Sequence, residues 1–232
     1  VHSTNSMVMD YAFKELDRLG IDVILQISNA SQDTSWENKW KLWQRYYALA
    51  FYAAKTGDVE MFAMQNEPNH RHSGPMPLEV WIELMKVVSD AIHCAVYDVN
   101  KLYNKQLTPQ FIGPVTAGTN TNWWAQIAAS ERVDYKGEKI DRDLIELFST
   151  HSYNLPAAGY VSRVQGIDQI LRENHPLGHG KPILFTEIGR WMNAYLIDKE
   201  ETMDSPSLFT EWAGIYTHIM KGGGYGMWAF KL

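Results

Sequence analysis

Six short β-forming runs separated by longer stretches of helical spacing constrain this chain more than any other feature of its sequence. The runs are residues 22–27 (DVILQI), 60–65 (EMFAMQ), 110–113 (QFIG), 147–153 (LFSTHSY), 182–187 (PILFTE) and 225–230 (YGMWAF). Their starts lie about 35 to 50 residues apart, which leaves room for a helical crossover and predicts parallel strands rather than hairpins. Helices are predicted from about 7 to 19, closed by Gly20, from 36 to 55, from 78 to 103, and more weakly from 161 to 173. A last one opens at Ser205-Pro206 and ends at the glycines 222–224. Trp36, Trp40, Trp43, Trp81 and Trp212 recur at steps of three and four and read as core faces of these helices.

An α/β chain of 232 residues with this pattern has two architectures open to it. A doubly wound nucleotide-binding sheet should show GxGxxG or GxxxxGK[ST] after an early strand, and neither occurs. A (β/α)8 TIM barrel is therefore expected, as one domain over residues 1–232, since no linker or repeat divides the chain. Six strands would leave two open edges, which proteins rarely tolerate. With Val rather than Met at position 1, the expectation is a barrel truncated at its N-terminus, and possibly at its C-terminus.

Composition removes several classes. A net charge of −6 speaks against nucleic acid as a partner and against a polybasic membrane anchor. No apolar run is long enough for a membrane span. Cys94 is the sole cysteine, so no internal disulfide or cysteine-built zinc site is available.

Barrel enzymes place their chemistry at the C-terminal ends of the strands, and the polar residues of this chain gather there. The second run leads into Asn66-Glu67-Pro68-Asn69, the fourth ends in His151-Ser152-Tyr153-Asn154, and the fifth ends in Thr186-Glu187. One glutamate alone would read as an ordinary solvated residue. Two at equivalent strand ends suit glycosidic bond cleavage, where one carboxyl donates a proton and the other, ionised, attacks the anomeric carbon.

Gln65-Asn66-Glu67-Pro68-Asn69, followed by His151-Ser152-Tyr153, Phe185-Thr186-Glu187 and Trp228 in that order, resembles the clan A superfamily of retaining glycoside hydrolases with (β/α)8 barrels. The resemblance implies that the visible strands are three to eight of eight. It makes Glu67 the acid/base, Glu187 the nucleophile and Trp228 the platform beneath the sugar at the cleavage point. Asn66 would bind the 2-hydroxyl of the substrate. Tyr153 would hydrogen-bond Glu187 or simply line the barrel. His151 would touch a sugar hydroxyl, support the carboxylates, or be a satisfied buried histidine.

Further substrate contacts are expected from Asn69 and His70 after the first glutamate. Others come from Trp123 and Trp124, read as loop residues at the active-site end, and from Trp191. No metal and no cofactor is expected, because two carboxylates suffice. A metal-dependent hydrolase built on His70, His72 and His151 is a lesser alternative. The NEPNH and HSYN segments are similar to those of agar- and porphyran-cleaving members, and the basic turn His70-Arg71-His72 suits an anionic galactan. The implied function is endo-cleavage of a red-algal polysaccharide or its oligosaccharides, by a secreted or periplasmic enzyme. A xylosidase, xylanase or glucanase of the same clan, or an inactive carbohydrate-binding barrel, are the alternatives.

Overall fold

A computed structural model of the chain describes residues 4–27, 31–73, 75–189 and 206–229. The described residues follow the predicted alternation. Helix α1 (Thr4–Arg18) precedes β1 (Ile24–Ile27), and α2 (Trp36–Gly57) precedes β2 (Met61–Met64). A 3-10 turn (Arg71–Ser73) leads to α3 (Leu78–Tyr103) and β3 (Gln110–Thr116). Then come α4 (Thr121–Ala129), β4 (Leu147–Tyr153), α5 (Gly159–Asn174), β5 (Ile183–Gly189), α6 (Pro206–Lys221) and β6 (Gly226–Ala229). The strands are hydrogen-bonded in chain order, β1 to β6. The registered pairs are parallel, as crossovers of this length require. Among the described residues, no helix is long and apolar enough to cross a membrane.

Two compact units divide the chain. One comprises residues 1–66, 75–112 and 132–146, the other residues 67–74, 113–131 and 147–232. In the first, β1 and β2 pair from Ile24↔Met61 to Ile27↔Met64, and β2 and β3 from Met61↔Gln110 to Ala63↔Ile112. Helix α3 carries much of this core: Trp81, Leu84, Val88, Ile92, Ala95 and Val99, which recur at steps of three and four, are fully buried, while Leu102 at the helix end is exposed. Gly57 ends α2 where Phe13 of α1 packs, and a Cβ at that position would overlap the Phe13 side chain. Gly20 closes α1 as expected, with φ +67° and Ile21 N donating to Leu16 O at 2.9 Å.

The tryptophan face of α2 is a correction. Leu42, Tyr46, Ala50, Ala53 and Ala54 are the residues α2 buries, whereas Trp36 and Trp40 remain 63% and 46% exposed. Both stripes have helical spacing. The alanines let the backbone approach its neighbours closely, while Trp36 and Trp40 stay at the surface and Trp43 Nε1 donates to Asp90 Oδ2 of α3 at 2.7 Å.

In the second unit, β4, β5 and β6 pair in parallel. Phe148 and Phe185 are buried between the strands and their helices. Trp124 of α4 packs edge-on against Phe148 at 5.8 Å, and Tyr160 of α5 against Phe185 at 5.3 Å. Lys181 and Glu131 form an ion pair at 3.2 Å with side chains only 6% and 2% exposed.

Candidate active site

Glu67 sits just beyond β2 in a strained stretch of backbone. Gln65 and Glu67 have φ of 57° and 42°, a left-handed region that residues other than glycine rarely adopt and that clusters at functional sites. The surrounding bonds hold Glu67 there. Its amide donates to Val115 O at 3.0 Å, and its carbonyl accepts from His70 N at 2.9 Å. Asn69 closes the loop onto the chain after β3, its Nδ2 donating to Ala117 O at 3.0 Å and its Oδ1 accepting from Ala117 N at 2.8 Å.

The end of β4 supplies His151 and Tyr153, two apart and so on one face of the strand. Next to it, β5 carries an extra residue. Thr150 pairs with Phe185 but His151 pairs with Glu187, and toward β6 Phe185 pairs with Met227 but Ile188 with Ala229. Thr186 is thus a bulge relative to β4, and toward β6 Thr186 and Glu187 together stand opposite one residue. Bulges bend a strand and re-aim the side chains beside them, and the next residue is Glu187. The sequence carries no signal for this, because a bulged threonine looks like any strand threonine.

These elements bring Glu67, His151, Tyr153 and Glu187 together. His151 Nδ1 lies 2.8 Å from Glu67 Oε1 and 3.3 Å from Glu187 Oε2. The Tyr153 hydroxyl donates to Glu187 Oε2 at 2.6 Å. Both neighbours of His151 Nδ1 are carboxylate acceptors, which assigns a proton to that nitrogen. One oxygen from each glutamate and a His151 ring nitrogen lie within 4.8 Å of one another. The His151 side chain is 1% exposed, while those of Glu67 and Glu187 keep 17% and 19%, so the carboxyls face solvent above a buried imidazole.

Electrostatics separate the groups. The His151 hydrogen bond holds the Glu67 carboxyl below its ordinary range; burial opposes this, and the charges of His151 and His70 add to the lowering. Burial pushes the Tyr153 phenol well above its usual value, helped by its bond to Glu187 and by the charges of Glu187 and Glu67. Tyr153 therefore stays a hydrogen-bond donor throughout the neutral range.

The other predicted site residues divide. His70 does lie beside the cluster, its Nδ1 3.6 Å from Glu67 Oε2, with its ring 5.1 Å from that of His72. Asn69 has its amide committed to Ala117. Asn66 is half-buried, one residue before Glu67. Trp123 and Trp124 are a correction: they lie on helix α4, not a loop, and are 7% and 1% exposed. Asn120 caps that helix, accepting from Trp123 N, and Trp124 Nε1 donates to Thr116 Oγ1 at 3.0 Å. They are core residues of the second unit, because the polar stretch before them is a helix cap. The Trp228 backbone belongs to β6, but its side chain, like all of Trp191, lies outside the described residues.

The glutamates and His151 are also a donor set that could hold a metal ion. For the alternative of His70, His72 and His151, His151 Nδ1 is taken by the two carboxylates and His72 Nε2 by Arg71 Nε at 3.1 Å.

No protein-family model and no curated protein sequence matches the chain. Solved structures share its fold. A family 39 glycoside hydrolase from the gut symbiont Bacteroides cellulosilyticus WH2 aligns with a TM-score of 0.64 at 15% identity, over 99% of this chain and 46% of that one. A GH5-4 broad-specificity endoglucanase from an uncultured bacterium gives 0.56 at 12% identity, over 99% and 69%. The catalytic domain of the Thermobifida fusca endoglucanase Cel5A gives 0.51 at 17% identity, over 97% and 62%. The chain thus spans less than half of the family 39 hydrolase and under two thirds of Cel5A. At such identities the likeness is one of fold, a parallel βα architecture shared with clan A glycoside hydrolases.

Proposed function

We propose that the chain supplies the two catalytic glutamates of a retaining glycoside hydrolase, and that the whole protein is a (β/α)8 barrel. The observation that carries this reading is the approach of Glu67 and Glu187, oxygen to oxygen, within 4.8 Å across one imidazole. That closeness suits the carboxyl spacing of about 5–5.5 Å used for double displacement.

In this mechanism Glu67 protonates the glycosidic oxygen while Glu187 attacks the anomeric carbon. The C–O bond breaks, the leaving sugar departs with the proton, and a covalent glycosyl-enzyme forms on Glu187. Glu67, now a carboxylate, takes a proton from water, whose oxygen attacks the same carbon and releases Glu187. Free Glu67 is biased toward the carboxylate by His151. A bound sugar that covers it excludes water and raises its affinity for the proton needed in the first step. Asn66 would hold the 2-hydroxyl and Trp228 the apolar face of the sugar.

For substrate we propose a β-linked red-algal galactan, agarose or porphyran, cut internally. Support comes from the turn that carries His70, Arg71 and His72 directly after Glu67, with Arg71 and His72 exposed and able to meet sulfate or hydroxyl groups. A β-glucan is the second reading, since the GH5-4 enzyme and Cel5A are endoglucanases. A polymer of either kind is met outside the cell, so we place the enzyme in the periplasm or the medium.

The test is product release from agarose, porphyran, xylan and β-glucan by the protein and by Glu187→Gln. Reducing ends from one polymer with the parent alone support the reading and name the substrate. Equal release by both proteins, or none by either on all four polymers and on aryl glycosides, overturns it.

A further inference from the structure

Glu67 and the residue that receives its amide proton share an unusual conformation. Glu67 has φ 42° and Val115 φ 54°, and Glu67 N donates to Val115 O at 3.0 Å. Valine is β-branched and is a genuine outlier in this region. Strain of this kind persists only where the surrounding bonds over-determine the backbone.

One set of such bonds comes from Asn69, two residues after Glu67. Its side-chain amide pairs with the backbone of Ala117 much as a neighbouring strand would. Nδ2 donates to Ala117 O at 3.0 Å and Oδ1 accepts from Ala117 N at 2.8 Å. The orientation of the amide follows from the pairing, because the reverse would set N–H against N–H and oxygen against oxygen. An aspartate here could accept the same N–H but would turn its other oxygen toward the Ala117 carbonyl.

Ala117 is itself anchored from the far side. The Thr150 hydroxyl lies 3.0 Å from Thr116 Oγ1 and 3.1 Å from each of the carbonyls that flank Ala117, those of Thr116 and Gly118. Trp124 Nε1 adds a bond to Thr116 Oγ1 at 3.0 Å. The residue after Thr150 on β4 is His151. Segment 116–118 is thus held on one side by the neighbour of His151 and on the other by a residue two places from Glu67. Those two functional side chains meet at 2.8 Å, His151 Nδ1 to Glu67 Oε1. All of these residues belong to the second unit.

We propose that Asn69 is a positioning residue: by clamping the Glu67 loop to Ala117, which Thr150 anchors to β4, it sets the contact between the Glu67 carboxyl and His151. Asn69, expected from the sequence to touch substrate, acts instead through Glu67. The consequence for catalysis rests on the glycosidase reading above, but the placement of the carboxyl does not.

The experiment compares the parent with Asn69→Ala, Thr150→Val and Thr150→Ser. Titration of the Glu67 side chain is followed by carboxyl-carbon NMR, with the resonance assigned by its loss in Glu67→Gln. The groups that face this carboxyl are His151, Glu187 and Tyr153 from the strands and His70 from its own loop, and none is altered by these variants. In Asn69→Ala, Glu67 should titrate at higher pH than in the parent, because the contact that lowers its pKa is loosened. On the favoured polysaccharide kcat should fall about 10- to 100-fold with KM near the parent value, while an aryl glycoside with an acidic phenol loses much less. Thr150→Val should move both readouts the same way, and Thr150→Ser, which keeps the hydroxyl, should stay at parent level. A Glu67 titration unmoved in Asn69→Ala overturns the proposal. So does a raised KM with kcat and titration unchanged, the mark of a substrate contact. If Asn69→Ala fails to fold, Thr150→Val and Thr150→Ser variants that titrate alike overturn it. A parent that hydrolyses nothing, but whose Glu67 titration moves in Asn69→Ala, sinks the glycosidase reading and leaves the positioning standing.

Discussion

The Nδ1 atom of His151 lies 2.8 Å from Oε1 of Glu67, and the same nitrogen reaches Glu187 at 3.3 Å. One buried imidazole thus touches both carboxyls of the pair, and what it does to Glu67 is measurable. Because His151 lowers the Glu67 pKa, the protonated form that acts as general acid is lost at lower pH than for an ordinary glutamate. His151→Ala removes the main lowering cause and leaves desolvation. The limb of kcat/KM that falls with rising pH should therefore move to higher pH, even as the maximum rate drops. A profile unmoved along the pH axis would show that His151 does not govern the proton of Glu67.

The same shift carries a stability signature. A carboxyl with a depressed folded-state pKa stabilises the fold above its unfolded pKa, and that contribution fades as pH falls through the folded value. Glu67→Gln should lower Tm near neutrality, and the gap to the parent should close on acidification below the ordinary carboxylate range. A gap that widens in acid contradicts the sign.

Glu67→Gln also tests the acid role directly. Loss of general acid catalysis removes about 10²- to 10⁴-fold in rate, and chiefly where the leaving group needs a proton. Turnover of polysaccharide should fall by that amount, whereas an aryl glycoside with an acidic phenol should retain most of its bond-breaking rate. Initial rates on the two substrate types decide the point, and equal losses would remove Glu67 from the role.

Tyr153→Phe deletes one hydrogen bond, the 2.6 Å contact from the hydroxyl to Glu187 Oε2. Hydrogen bonds to charged groups are worth about 1.5–3 kcal/mol, so kcat should fall about 10- to 100-fold with little change in KM. The elevated Tyr153 pKa adds that ionisation of this phenol contributes no limb to the pH profile in the neutral range. Steady-state kinetics from mildly acidic to mildly alkaline pH would check both.

Lys181 and Glu131 form an ion pair with both side chains buried. Lys181→Met removes this cation from beside the buried carboxylate and should destabilise the fold in denaturant unfolding, by at most about 3–5 kcal/mol. Adding Glu131→Gln should recover part of that loss. A single variant as stable as the parent would mean that Glu131 is satisfied by other groups.

Helix α3 and the strand ends show why so much of the fold was legible. The apolar period of α3 recurs from Leu78 to Val99, and several of the strands are apolar runs of the kind a buried parallel sheet carries. Glu67 and Glu187 stood out because glutamate is unusual at strand ends. Where two patterns of equal period compete, as on α2, the sequence does not say which stripe is buried. Ala50 and Ala54, which share the spacing of the tryptophans, are buried with Leu42, Tyr46 and Ala53, because small side chains permit close packing, whereas Trp36 and Trp40 stay exposed. The polar residues before Trp123 read as a loop, although Asn120 caps a helix there, since capping residues and turn residues are the same types.

By itself the sequence determined the α/β class, the order of the six strands and the pairing of Glu67 with Glu187 as candidate catalytic groups. These follow from periodicity and residue chemistry, which are local. Only the tertiary structure decided that Thr186 bulges, that His151 Nδ1 is shared between the two carboxyls, and that Glu67 is biased toward its charged form. Each depends on atoms far apart in the chain coming within hydrogen-bonding or stacking distance, and no linear pattern encodes distances of a few ångströms.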